Sequence, residues 1–260
     1  MSTTAGAGTP SAPGPVILVT GASGAIGGEI ARRAAALGYR VGAQGAHAQR
    51  VEQAAARIAQ ATAGAQVLPL VCDFRDEQGI ERMVEAVVEA YGQLDYVVHC
   101  AVTGAPGVTG VFANTTPPSY GEHAALVMGS FQRLCHAALP HLAQSGGAIV
   151  AFASDAARFA APRQALIGAA FAGVLAFARN LAVEAARDGV RINCITPSFV
   201  ERTPAFDKYA AGGRGESARQ RAGLGLPGPE DIAPLALFLC SAEAAKITGQ
   251  VISVNGGLNA

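Results

Sequence analysis

The sequence predicts an α/β fold, a doubly wound parallel sheet within a single domain. Three observations predict it. Short apolar runs alternate with helix-patterned segments along nearly the whole chain. The first run, Val16-Ile17-Leu18-Val19, ends in a glycine-rich turn that opens a helix. After residue 15 there is no internal repeat and no break in composition, so residues 15–260 read as one domain.

The elements follow in order. Residues 1–14 are Met, Ser, Thr, Ala, Gly and Pro without periodicity and read as a flexible tail. The run at 16–19 suits a strand buried on both faces. A helix is predicted over 25–37, a weaker strand over 39–43 and a second helix over 48–61. A third strand covers 67–71. Asp76 can cap the next helix, in which Ile80, Val84, Val87, Val88 and Tyr91 recur at helical spacing. Strands at 94–100, 148–153, 190–195 and 250–254 then alternate with long helices at 119–143 and 164–187 and a shorter one at 230–241. Right-handed crossovers between such strands give a parallel sheet covered on both faces. The stretch 197–229 reads as a long irregular connection, placed where a substrate lid would be.

Composition excludes several classes. Half of the 260 residues are hydrophobic and 15% are charged, which excludes a disordered chain. Nineteen basic residues balance nineteen acidic ones, so neither nucleic acid nor an anionic membrane is the expected partner. The longest uncharged apolar stretch, 164–178, is too short to span a bilayer and is followed by Arg179. No signal peptide is recognisable, and the expected location is cytoplasmic. The five cysteines are scattered without a Cys-x-x-Cys pair and read as reduced thiols, with no metal site expected.

Gly21, Ser23, Gly24, Ile26 and Gly27 lie between the first strand and the first helix. Glycines there let the chain turn sharply and let a pyrophosphate approach the helix N-terminus, so these five are the candidate cofactor contacts. Further along come Asp73 after the third strand, Leu94-Asp95-Tyr96-Val97-Val98, Gly147-Ala148-Ile149-Val150 with Ser154, and Leu181-Ala182-Val183-Glu184. Then follow Val190-Arg191-Ile192-Asn193, Pro229-Glu230-Asp231-Ile232-Ala233 and Ile247-Thr248-Gly249-Gln250-Val251 before Gly256-Gly257. With the glycine loop, these motifs resemble the short-chain dehydrogenase/reductase family over 16–258. The resemblance implies a Rossmann-like fold, an NAD(H) or NADP(H) cofactor and a dimer or tetramer. It also implies an Asp73 near the adenine, an Ala101 beside the cofactor and a Thr203 that approaches the nicotinamide amide.

The resemblance further implies a catalytic Tyr, a Lys four residues later, a Ser and an Asn. A free Tyr has a pKa of about 10 and needs a neighbouring cation to work near neutrality. Counting back thirteen residues from Glu184 puts Phe171 at the Lys position and Ile167 at the Tyr position. Ser154 stands at the usual interval before Ile167, and the helix anchors Tyr120 and Pro140 put Val127 at the Asn position. Only Ser154 remains of the set, as a vestige. The segment after the fourth strand, His99-Cys100-Ala101-Val102, also departs from the family's Asn-Asn-Ala-Gly. Gly45-Ala46-His47 offers neither an acid for a ribose nor an Arg for a 2′-phosphate. His99, at a strand end facing the expected cleft, reads as a satisfied buried imidazole.

The expected function is therefore a catalytically degenerate member of that family, the non-catalytic subunit of a heteromeric dehydrogenase. Such a subunit binds no cofactor, or NAD(P) weakly with no readable preference. It pairs with itself or with an active relative through the helices 119–143 and 164–187. Val174 or Phe177 is expected to face the partner. The alternative is an NAD(P)-dependent oxidoreductase, or a cyclase, lyase or isomerase, that uses an atypical site around Ser154.

Overall fold

The computed structural model describes residues 14–101, 105–210 and 213–259. The expected tail lies, apart from Gly14, outside the described residues, as does Val102. The chain runs β1 (Val16–Thr20), α1 (Ala25–Ala36), β2 (Arg40–Gly45), α2 (Ala48–Ala61), β3 (Val67–Val71), α3 (Glu77–Tyr91) and β4 (Tyr96–His99). The second half is α4 (Ser119–Ala124), a π turn (Ala125–Gly129), α5 (Ser130–Ser145), β5 (Ala148–Phe152), α6 (Ala165–Ala185), β6 (Arg191–Pro197), α7 (Pro204–Tyr209), α8 (Arg214–Arg221), α9 (Pro229–Cys240) and β7 (Val251–Val254).

The strands form one parallel sheet in the order β3-β2-β1-β4-β5-β6-β7. Strand order reverses between β1 and β4, where Thr20 pairs with His99. Their carboxyl ends mark the crevice in which open α/β sheets bind ligands. Alternation along each strand separates two apolar layers. Leu18, Ile149 and Ile192 pack with α3, α5 and α6 on one face. Ile17, Val150 and Ile195 pack with α1 and α9 on the other.

Local chemistry sets several boundaries. Asp76 accepts from the Gly79 N–H at 3.1 Å and caps α3, as its sequence position predicts. Gly92 and Gly146 end α3 and α5 in the left-handed conformation.

The structure differs from expectation in two places. The single helix predicted over 119–143 is two α-helices joined by a π turn centred on Val127. There the Ser130 hydroxyl donates to the Leu126 carbonyl at 2.6 Å, and Gly129 closes the turn. The predicted irregular connection 197–229 carries α7 and α8. Thr203 followed by Pro204 is a cap-and-start signal, with the Thr203 hydroxyl accepting from the Phe206 N–H at 3.1 Å. Helix α8, rich in Arg, Glu and Gln, has too little apolar periodicity to be seen in sequence.

Among the described residues one helical stretch, 165–188, is long and apolar enough to cross a membrane by length and composition. It is α6 and its extension, and Phe171, Val174, Leu175, Ala178 and Ala182 of α6 are buried in the core.

Candidate active-site cleft

The glycine loop is built for close approach. Gly21 has φ +70°, and a Cβ there would lie 2.9 Å from the Ala101 nitrogen. A Cβ on Gly27 would lie 2.4 Å from the Gly21 carbonyl oxygen. Only glycine lets the loop fold over the start of α1 at these distances. Gln44, which the sequence analysis missed, clamps the loop from below. Its side-chain oxygen accepts from the Gly21 N–H at 2.9 Å, its backbone carbonyl from the Ala22 N–H at 2.8 Å, and its amide donates to the Cys72 carbonyl at 2.7 Å. A buried polar residue at the end of a strand was the signal available for it.

Helix α1 begins at Gly24 with no side-chain cap and no acid in its first turn, so its first N–H groups and dipole face the cleft. Ser23 and Ile26 are half-buried beside it. Asp73, after β3, is half-exposed and accepts from the Arg75 N–H at 3.0 Å. Ala46 and His47, after β2, are exposed, and Gly45-Ala46-His47 carries neither a carboxylate nor a guanidinium.

At the end of β4 the ring of His99 is stacked between Phe74 and Phe131, with centroids 5.7 and 5.4 Å away. Its Nδ1 lies 3.0 Å from the Thr20 hydroxyl. Burial pushes the imidazole down to about 4, so His99 is neutral at physiological pH. A neutral, buried ring with a hydroxyl partner matches the satisfied histidine that the sequence suggests.

The fold brings together the positions that the resemblance assigns to Asn, Tyr and Lys. Val127, in the π turn, and Phe171, in α6, are each 4% exposed and belong to one apolar cluster with Ala153, while half-buried Ile167 packs against it. Two glycines let α6 come this close. A Cβ on Gly168 would meet the Ala156 carbonyl oxygen at 2.5 Å, and one on Gly173 would meet the Met128 sulfur at 2.5 Å. The cluster holds no titratable side chain at these three positions, so it has no group to give or take a proton.

Ser154 follows β5 and stands beside this cluster. Its oxygen accepts from the Ala156 N–H at 3.2 Å and caps a short 3-10 turn, Asp155–Ala157. Asp155, also missed in sequence, is 2% exposed. It accepts from the Ser253 hydroxyl at 2.6 Å, from the Asn255 amide at 2.5 Å and from the Asn259 amide at 3.3 Å. It thereby ties the Ser154 corner to the C-terminal segment. Thr203 is 7% exposed, and its hydroxyl donates to the Val200 carbonyl at 2.7 Å while it caps α7. Among the described residues no three of His, Cys, Asp and Glu converge as a metal site.

Residues 21–259 match the family model described as "Enoyl-(Acyl carrier protein) reductase". The peroxisomal 2,4-dienoyl-CoA reductase of Saccharomyces cerevisiae is 32% identical over 250 residues, covering 94% of this chain and 84% of the relative. A 3-oxoacyl-acyl-carrier-protein reductase of Chlamydia muridarum is 30% identical over 249 residues, 93% of this chain and 96% of its own length. Among solved structures, a dehydrogenase/reductase from Sinorhizobium meliloti superposes with a TM-score of 0.87 at 29% identity, over 96% of this chain and 97% of that one. A 7α-hydroxysteroid dehydrogenase, solved with NADH and 7-oxo glycochenodeoxycholic acid, gives 0.86 at 26% identity over 94% of each chain. The sheet order, the glycine loop and these matches together make the chain a member of the short-chain dehydrogenase/reductase family.

Proposed function

We propose that this chain is a non-catalytic member of its family that serves as the silent subunit of a heteromeric dehydrogenase. One observation carries the reading: Phe171 is core, at the position where spacing and the resemblance put the activating cation, with Ile167 where they put the proton donor. Each general acid–base element contributes about 10² to 10⁴ in rate, so the joint loss of Tyr and Lys removes ordinary carbonyl or alcohol turnover. Val127 at the Asn position removes the relay as well. Ser154 keeps a hydroxyl but has no partner at these positions to pass a proton to.

The fold itself is intact, with a full parallel sheet and both apolar layers. That supports a role for the scaffold rather than for redox chemistry, with an active relative paired through α4, α5 and α6. The reading extends to a cytoplasmic setting, where the five thiols stay free, four of them buried. NAD(P) binding, drawn from the NADH-bound neighbour, is proposed as weak.

The rival reading is a reductase with an atypical site, favoured by the description of the matching family and by the two thioester reductases above. The purified chain is assayed with NADH and NADPH on a 2,4-dienoyl thioester and a 3-oxoacyl thioester, and a tagged copy is recovered from its source. No turnover, with a stoichiometric Tyr- and Lys-containing relative in the eluate, is expected. A steady rate on the order of 1 s⁻¹ on either thioester overturns the reading, since that is an ordinary enzyme rate.

A further inference from the structure

Helix α4 carries a buried imidazole that the readings above leave unused. His123 is 3% exposed, and among the described residues neither of its ring nitrogens has a hydrogen-bond partner. Buried polar groups are nearly always paired, so a ring with both nitrogens orphaned weakens the place where it stands. That place is the seam between two helices on which the proposed assembly depends. His123 lies one turn before Val127, and α4 packs on the π turn and on α6. The Leu166 backbone, in the first turn of α6, is near the ring but outside bonding geometry. That turn has no side-chain cap and no acid, so the positive end of its dipole is unopposed.

A charged ring would find no counter-charge here. On α4, Glu122 is exposed and paired with Arg75, and Tyr120 has Thr115 as its partner. The π turn and the stretch 105–118 have no titratable side chain, and α6 has none before Arg179. Ahead of α6, Asp155 is spent on Ser253, Asn255 and Asn259, Arg158 is held by Ser253, and Arg163 is exposed. Burial pushes the His123 pKa below its usual 6.5, and the Leu166 backbone offsets this only in part. As pH falls below 6.5, a ring released into water takes a proton that the buried ring refuses.

We infer that His123 is an acid-sensitive catch between α4 and α6, whose protonation opens this seam and loosens the pairing that uses both helices. This regulation rests on the assembly through α4, α5 and α6 proposed above.

Hydrogen exchange on the assembled full chain, corrected for the intrinsic effect of pH, reads the seam at pH 7.5 and 5.5. Protection over α4 and the π turn is expected to fall about threefold to tenfold, the ceiling for one group with a value of 6.5 when open. In His123→Leu and His123→Gln that fall is expected to vanish, while any fall over β4, where His99 stands, persists. Leu removes both unpaired nitrogens. Gln stays polar but takes no proton, and it carries the comparison alone if the Leu variant does not fold. Light scattering on the same samples should show the assembly loosening at pH 5.5 in the unmutated chain and holding in both variants. His136→Gln, which alters an exposed histidine of α5, should loosen like the unmutated chain. Protection over α4 that does not fall, a fall that survives both His123 variants, or release that follows His136 overturns the inference. Pairing that holds at pH 5.5 also overturns it and leaves the silent-subunit reading standing, whereas no pairing at pH 7.5 removes both.

Discussion

The Thr20 hydroxyl lies 3.0 Å from Nδ1 of His99, so β1 and β4 are tied at the strand-order reversal through an imidazole. The Ala101 N–H donates to the same hydroxyl oxygen at 3.2 Å, so this one side chain joins β1, the His99 ring and the segment after β4. With Phe74 and Phe131 stacked on its two faces, the ring has no room for a charge and its solvent shell.

That arrangement predicts an acid-sensitive fold. Burial lowers the folded-state value of His99 from 6.5 to about 4. Between those values the unfolded chain binds the proton and the folded chain does not, so stability falls as pH drops from 6.5 towards 4 and levels off below. The His99 contribution lost is about 3 kcal/mol. Urea unfolding at pH 7 and pH 4.5 checks it, with His99→Asn as the comparison. The variant should be less stable at pH 7 and show a flatter dependence; parallel pH profiles would falsify the assignment.

The sequence made much of this fold legible and rather less of the site. Ala148–Phe152 is wholly apolar and Val16–Thr20 is so up to its last residue, so composition alone marks them as central. Helix α3 carries both its cap and its periodicity in the sequence. The π turn at Val127 is marked in sequence only by Gly129 and Ser130 at its end, a weak signal inside an otherwise helical pattern. Gln44 and Asp155 were missed for another reason. Their partners are 23 to 104 residues away, and a lone polar residue at a strand end does not announce which backbone groups it will satisfy. Ile167, Phe171 and Val127, which spacing and the resemblance assign to the Tyr, Lys and Asn positions, lie in or against one apolar layer in the structure.

Phe171 is expected to matter for stability. At 4% exposed it packs in the same cluster as Val127, Phe131 and Val174. Phe171→Ala should cost about 3–5 kcal/mol by leaving a cavity between α6 and the π turn. Phe171→Lys should cost at least as much, because the ammonium would enter an apolar cluster with no carboxylate placed to meet it. Chemical denaturation measures both. A neutral Phe171→Lys would mean that the position opens to solvent and that the site retains room for a working cation.

Asp155 is expected to hold the C-terminal segment down. Removing its carboxylate takes away the charged acceptor that the Ser253 hydroxyl and the Asn255 and Asn259 amides share. Asp155→Ala should cost about 3 kcal/mol, since bonds to a charged group are worth more than neutral ones. Hydrogen exchange should rise over 253–259 before it rises in β5. Uniform exchange across both segments would show that the network does not act as a local tether.

Helix α6 gives the assembly prediction, and the structure changes which residues test it. The apolar stripe seen in sequence offers Val174 or Phe177 as partner-facing. Val174 is 1% exposed and belongs to the core, and Phe177 is half-buried with its ring edge-on to Phe131. The outward row is instead Ala165, Ala169 and Ala172 with half-buried Ala176, running on past exposed Asn180 to Val183, which is 73% exposed. Small side chains at this spacing let a second helix come close, and an uncharged row of this length is a surface that association would cover. Ala172→Arg and Ala176→Arg should therefore split the assembly, whether of like or unlike chains, and leave the melting temperature within a few degrees. Val174→Arg should unfold the protein, because it buries an unpaired charge against the sheet. Light scattering on the chain alone and on the chain co-expressed with an active relative separates the two assemblies. A well-folded monomer for the unmutated chain at micromolar concentration, with no affinity for any relative, would remove both the interface and the silent-subunit role that depends on it.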